Sequence, residues 1–174
     1  MGAEVRGRWE SPRACPHTAR RGEDEEAMTE LAVLVPVLNR PQNVAPLVES
    51  FLAGCPDDAV LVFIVSPDDD AEWDAVSKFQ THIKQSHAVD VLGGSAHTWP
   101  EKINYGVHIK NGVDWYLLAA DDILFTPGWW DATKELRDDP TIGVIGTNDS
   151  ATGRGNPRVA AGEHTCHPLV RARY

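Results

Sequence analysis

The chain has 174 residues, 42% of them hydrophobic, a size and composition that suit one domain with a sizeable core. Sixteen Lys and Arg against 26 Asp and Glu give a formal net charge of −10 and a pI near 5.0. That balance excludes a general nucleic-acid binder, which needs a basic face, but allows a small phosphorylated ligand whose charge a divalent cation neutralises locally. Cys15, Cys55 and Cys166 are widely spaced, form no CxxC pair and suggest no disulfide framework, so a reducing, cytoplasmic setting is the simple expectation. No apolar run approaches the roughly 20 residues of a membrane span, and no N-terminal segment reads as a signal peptide.

Residues 1–27 carry five arginines and the acidic run Glu23–Glu26 with little hydrophobic periodicity, which predicts a disordered extension. Met28 directly precedes the first ordered-looking segment and is a candidate start. Residues 28–174 then read as one domain.

Leu31–Leu38 is a continuous apolar run, as in a strand buried on both faces. Asn39 is placed to cap the next helix, Pro41 fits its early turn, and Val44, Leu47, Val48, Phe51 and Leu52 fall at helical spacing up to Gly54. Pro46 fits only within the first turn. Val60–Val65 predicts a second buried strand. Ser66–Asp70 is a loop opening a helix with Trp73, Val76, Phe79 and Ile83 on its inner face. Ala88–Leu92 is a short third strand, Gly93-Gly94-Ser95 a turn, and Pro100–Lys110 a helix ending at Asn111-Gly112. Trp115–Ala119 is a fourth strand with Asp121-Asp122 just past it. Gly128–Arg137 is a short helix and Ile142–Ile145 a fifth strand. Residues 147–163 form a polar loop before His164 and His167. Strands alternating with helices predict a largely parallel sheet covered on both faces.

In open α/β sheets, ligands bind outside the carboxyl ends of the strands. Three polar clusters fall there: Asn39-Arg40, Ser66–Asp70 and Asp121-Asp122. Asp121-Asp122 is the metal candidate, because hard divalent cations take carboxylate oxygens and share them with substrate phosphates. The same dipeptide also reads as a solvated turn. Asp68 and Asp69 suit a base or ribose, and equally a helix N-terminus that favours acids. Lys102 suits a phosphate or a base edge, and also plain solvation; His164 and His167 are potential metal ligands without a third partner. The Gly-rich dinucleotide and P-loop signatures, the GxSxG elbow and HExxH are all missing.

Taken in order, these segments resemble family-two glycosyltransferases, over about residues 30–174. LAVLVPVLNR resembles their first strand, with Pro36, Asn39 and Arg40 in the loop that touches the nucleotide. Val60–Asp70 resembles the second strand and its base-holding acidic loop. EKINYG resembles the segment before the metal strand, and Trp115–Asp122 the strand carrying Asp-x-Asp. GEHTCHPLVRARY looks like the histidine-bearing stretch of related bacterial and phage proteins.

The resemblance implies a GT-A fold, a Rossmann-like and mostly parallel sheet with helices on both faces. It implies transfer of a sugar from a nucleoside-diphosphate sugar to an acceptor hydroxyl, with inversion, assisted by Mn2+ or Mg2+. It makes Asp68 and Asp69 base or ribose contacts, and Lys102 and Asn104 nucleotide contacts. Asp121 becomes the ribose and metal carboxylate, with Asp122 beside it and His164 closing the metal site. Asp149 and Glu163 are the acids available as the catalytic base. The sequence departs from the pattern at Ala119, which holds the first position of Asp-x-Asp, and in SPDDD, which replaces the usual base-binding loop. A non-catalytic module that binds a nucleotide sugar or a partner is the alternative.

Overall fold

In the computed structural model, residues 29–80, 88–94, 97–147 and 167–173 are described. The expectations for residues 1–27, for Met28 as a start and for Ile83 fall outside them.

Six strands form one sheet in the order β3-β2-β1-β4-β6-β5. β1 (Leu31–Pro36), β2 (Val60–Val65), β3 (Ala88–Gly93) and β4 (Trp115–Leu118) are mutually parallel, as their apolar runs predict. β1 is central, with Val33 in register with Leu61 on one side and Leu117 on the other. β6 (Leu169–Arg171) runs antiparallel to β4 and also pairs with β5 (Val144–Ile145). No strand was expected at β6, so the sheet is mixed at one edge.

The alternation of strand side chains divides the core. Leu31, Val33, Val35, Leu61, Phe63 and Val65 point to the face covered by α1 (Val44–Gly54) and α2 (Asp70–Gln80). Ala32, Leu34, Val60, Val62 and Ile64 point to the other face, with Ile103 of α3 (Trp99–Ile109). Each fully buried side chain of this kind contributes about 1.5–3 kcal/mol by leaving water. Gly106 lets α3 lie close to the sheet: a Cβ there would come within 2.8 Å of the Ile64 Cδ1 and 3.2 Å of the Leu34 Cδ2.

Several local expectations are corrected. The first strand stops at Pro36, and Leu38 is 53% exposed. Asn39 is not the cap of α1. It sits at φ 54°, a 3-10 turn follows over Pro41–Asn43, and α1 begins only at Val44. Pro46 is then the third residue of α1, where a missing N–H costs nothing because helix starts leave these donors unbonded anyway. α3 starts one residue earlier than expected because Thr98 and Glu101 form a reciprocal capping box. The expected helix 128–137 is two pieces, α4 (Trp129–Ala132) and α5 (Lys134–Asp138).

Two arginines fasten the mixed edge. Arg171 lies 4.3 Å over the Trp115 ring and donates to the carbonyls of Arg137, Asp139 and Ile142. Arg137 stacks on Trp130 at 3.5 Å and pairs with Glu30. Among the described residues, no helix is long and apolar enough to cross a membrane.

Candidate functional site

The carboxyl ends of β1, β2 and β4 meet at one edge, and the polar residues that follow them converge there. Asp69, in the turn after β2, caps α2. Its Oδ1 accepts from the Glu72 N–H at 3.2 Å and its carbonyl accepts from the Trp73 N–H. Its Oδ2 accepts from the Asn39 N–H at 2.9 Å, in the loop after β1. Both oxygens of this buried carboxylate are therefore held by backbone amides. Asp68, next to it, is exposed.

Glu72, on the first turn of α2, is 0% exposed. Its Oε1 accepts from the Arg40 N–H at 2.6 Å, while Oε2 has no partner among the described residues. Burial pushes its carboxyl up from the ordinary range; the Arg40 amide opposes this and Asp69 and Asp121 reinforce it. Sequence reasoning missed Glu72. The available signal was spacing, since 72, 76 and 79 fall on one stripe of α2 with the apolar residues Val76 and Phe79.

Lys102 projects from α3 beneath the same edge, 2% exposed, and its Nζ donates to the Val37 carbonyl at 2.6 Å. Burial pulls its pKa down, against the pull of Asp69, Glu72 and Asp68. Asn104 is exposed, and two positions along a helix turn it about 200° away from Lys102. Pro36 is half-buried at the end of β1.

Asp121 and Asp122 follow β4. Asp121 is 1% exposed, and neither of its oxygens has a well-aligned hydrogen bond, although the Arg40 guanidinium and the Asn43 side chain lie close. Arg40 Nη2 is 2.5 Å from Asp121 Oδ1, and Nη1 is 3.4 Å from Asp122 Oδ2. Burial pushes the Asp121 carboxyl up; Arg40 opposes and Asp122 adds to the rise. Ala119, in the first position of the Asp-x-Asp pattern, is 0% exposed and brings no ligand.

Hard oxygen donors, one buried and poorly hydrogen-bonded and one exposed, suit a divalent cation that completes its shell with water and phosphate. Among the described residues no group of three or more His, Cys, Asp or Glu is arranged to hold a metal. Asp149, Glu163 and His164 lie outside the described residues. The chain re-enters at His167, whose carbonyl accepts from Thr147 Oγ1 at 2.6 Å; Pro168 accepts from the Leu118 N–H, so this segment arrives beside the carboxyl end of β4. Three large apolar side chains after the strands are exposed, Leu38 in the loop after β1, Trp99 at the start of α3 and Leu124 after β4, the last by 66%.

No protein-family model matches the sequence, and no curated protein matches it. A solved structure does resemble it: the mannosyltransferase PcManGT from Pyrobaculum calidifontis, in complex with GDP-Man and Mn2+. The TM-score is 0.60 over 82% of this chain, at 15% identity. The match covers 44% of the mannosyltransferase, so this chain spans less than half of that protein's length. The likeness shows the fold: an α/β architecture with a six-stranded, mostly parallel sheet of the GT-A glycosyltransferase type.

Proposed function

We propose that the chain is a GT-A-type glycosyltransferase domain that binds a nucleoside-diphosphate sugar through a divalent cation and transfers the sugar to an acceptor hydroxyl with inversion. The observation that carries this reading is Asp121. It is a carboxylate buried at a strand end with no well-aligned hydrogen bond, beside a second carboxylate and an arginine. Beyond the half-exposed Arg40 guanidinium and the nearby Asn43 side chain, little compensates its burial, and burying a carboxylate is costly. A ligand that completes it is the physical reason to keep it.

In this reading Asp121 and Asp122 hold Mn2+ or Mg2+, with His164 as a further ligand. When bound, the cation neutralises charge on the departing diphosphate. Arg40 adds a second positive group for the phosphate oxygens. Pro36 and Asn39 border the nucleotide, and Asp68 is the exposed acid available to base or ribose. Asp69, Glu72 and Lys102 act from below, fixing the loop that carries Asn39 and Arg40. A carboxylate takes the acceptor proton, with Asp149 and Glu163 as candidates.

The buried Ala119 favours a second reading, a module that binds the nucleotide sugar without turning it over. Calorimetric titration with UDP, GDP and their sugar conjugates, with and without Mn2+, tests the first claim. Metal-dependent binding of one nucleotide is the expected result; no binding to any would overturn it. Release of free sugar or glycosylated product then separates enzyme from module.

A further inference from the structure

Arg40 is tied down by its backbone and half-exposed at its ion-paired side chain. Its backbone N–H is bonded to Glu72 Oε1 at 2.6 Å, and Asn39 before it is held at φ 54° by Asp69. Its side chain is 47% exposed and reaches across to Asp121 Oδ1 and Asp122 Oδ2. Those oxygens are the ones a divalent cation would take. A guanidinium and a divalent ion on the same two carboxylates compete, because the two positive charges repel at close range.

We propose that Arg40 is an exchangeable counter-ion. Without ligand it neutralises Asp121 and Asp122. With metal and diphosphate bound, Asp121 and Asp122 would hold the metal and the Arg40 guanidinium would turn to the phosphate oxygens. This rests on the reading of Asp121 and Asp122 as metal ligands. It adds that metal alone binds weakly, since it must evict a cation that then has no partner. Metal with nucleotide binds strongly, since the evicted, planar guanidinium finds phosphate oxygens that accept it bidentately. The pairing also accounts for how a buried carboxylate next to a second acid is tolerated without metal. Only one exposed side chain has to rotate, because the backbone of the loop is already tied down.

The test is titration of the full chain with Mn2+ in the absence of nucleotide, followed by the electron paramagnetic resonance signal of free Mn2+. Parent, Arg40→Gln, Arg40→Lys and the double variant R40Q/D121N are compared, each checked for an intact melting transition. The expectation is that Arg40→Gln binds Mn2+ alone about tenfold tighter than the parent, since a positive charge beside the metal is gone. Arg40→Lys, which keeps the charge, stays near the parent. D121N abolishes the gain, and UDP or GDP in the presence of Mn2+ binds Arg40→Gln more weakly than the parent. Equal or weaker Mn2+ binding by Arg40→Gln, still lost on D121N, would overturn the exchange and leave the metal site standing. Mn2+ binding insensitive to D121N would overturn the metal site, and the exchange with it.

Discussion

Asp69 and Glu72 open α2, Asp121 and Asp122 follow β4, and the two acidic pairs share one edge of the sheet. Asp69 gives both oxygens, and Glu72 one, to backbone amides. Asp121 and Asp122 face a half-exposed guanidinium, and Asp121, with the Asn43 side chain also near, lacks well-aligned hydrogen bonds. Burial does not separate the pairs, since Asp69, Glu72 and Asp121 are all buried. What separates them is the partner. A carboxylate bonded to amides far away in sequence is fastening two segments, whereas one facing a half-exposed cation is, in the proposed reading, held for a ligand.

The sharpest way to break this comparison is Asp121→Asn. It should cut metal-dependent nucleotide binding by about 100-fold or more, because a neutral amide replaces an anionic ligand. Its melting temperature should hold or rise, because a poorly bonded buried charge is removed. A large fall in melting temperature with binding intact would reverse the roles of the pairs. Asp69→Ala should do the opposite. One buried and one part-buried amide lose their acceptor and α2 loses its cap, which together cost about 1–3 kcal/mol of stability, read from chemical denaturation.

Glu72→Gln gives a smaller, pH-dependent effect. Burial raises the Glu72 carboxyl in the folded chain, so folding favours its protonated form. That contribution is complete below the unfolded value and is lost as pH rises through the raised one. Gln keeps an acceptor for the Arg40 amide but never ionises. The stability of Glu72→Gln relative to the parent should therefore climb from about pH 4 to pH 7. A flat difference over that range would mean the carboxyl titrates alike in both states. The smallest effect belongs to Asp122→Asn, whose side chain is 59% exposed. Solvent screens it, and nucleotide binding should weaken only about three- to tenfold.

The sequence shows the first pair poorly and the second well. Asp121-Asp122 is legible because an apolar strand leads straight to it, and strand ends are where α/β sheets bind. Likewise β1, β2 and β4 are legible because strands buried on both faces are uninterrupted apolar runs. Asp69 looks like any acid at a helix start, and its second role depends on an amide brought over by the loop after β1. Lys102 and Glu72 read as solvated charges, although each sits on a helical stripe otherwise apolar, Lys102 beside Ile103 and Gly106. Asn39 reads as a cap because its chemistry suits one; the same tolerance of left-handed backbone puts it in a tight turn instead. β6 is hidden because three residues cannot display a period, and its stability comes from β4 and from Arg171 bonding to three distant carbonyls.

The place of β6 between β4 and β5 has a consequence for the order of assembly. Among the described residues β5 joins the sheet through β6 alone, a segment more than 20 residues later in the chain. Closing that loop costs chain entropy before any contact repays it. The parallel part needs a longer closure, since Leu31 of β1 pairs with Trp115 of β4 across the two intervening strands, and β6 can dock only once β4 is in place. The mixed border therefore depends on β4 having joined β1, and β5, paired at two positions to a single neighbour, is the described strand held by the fewest pairings.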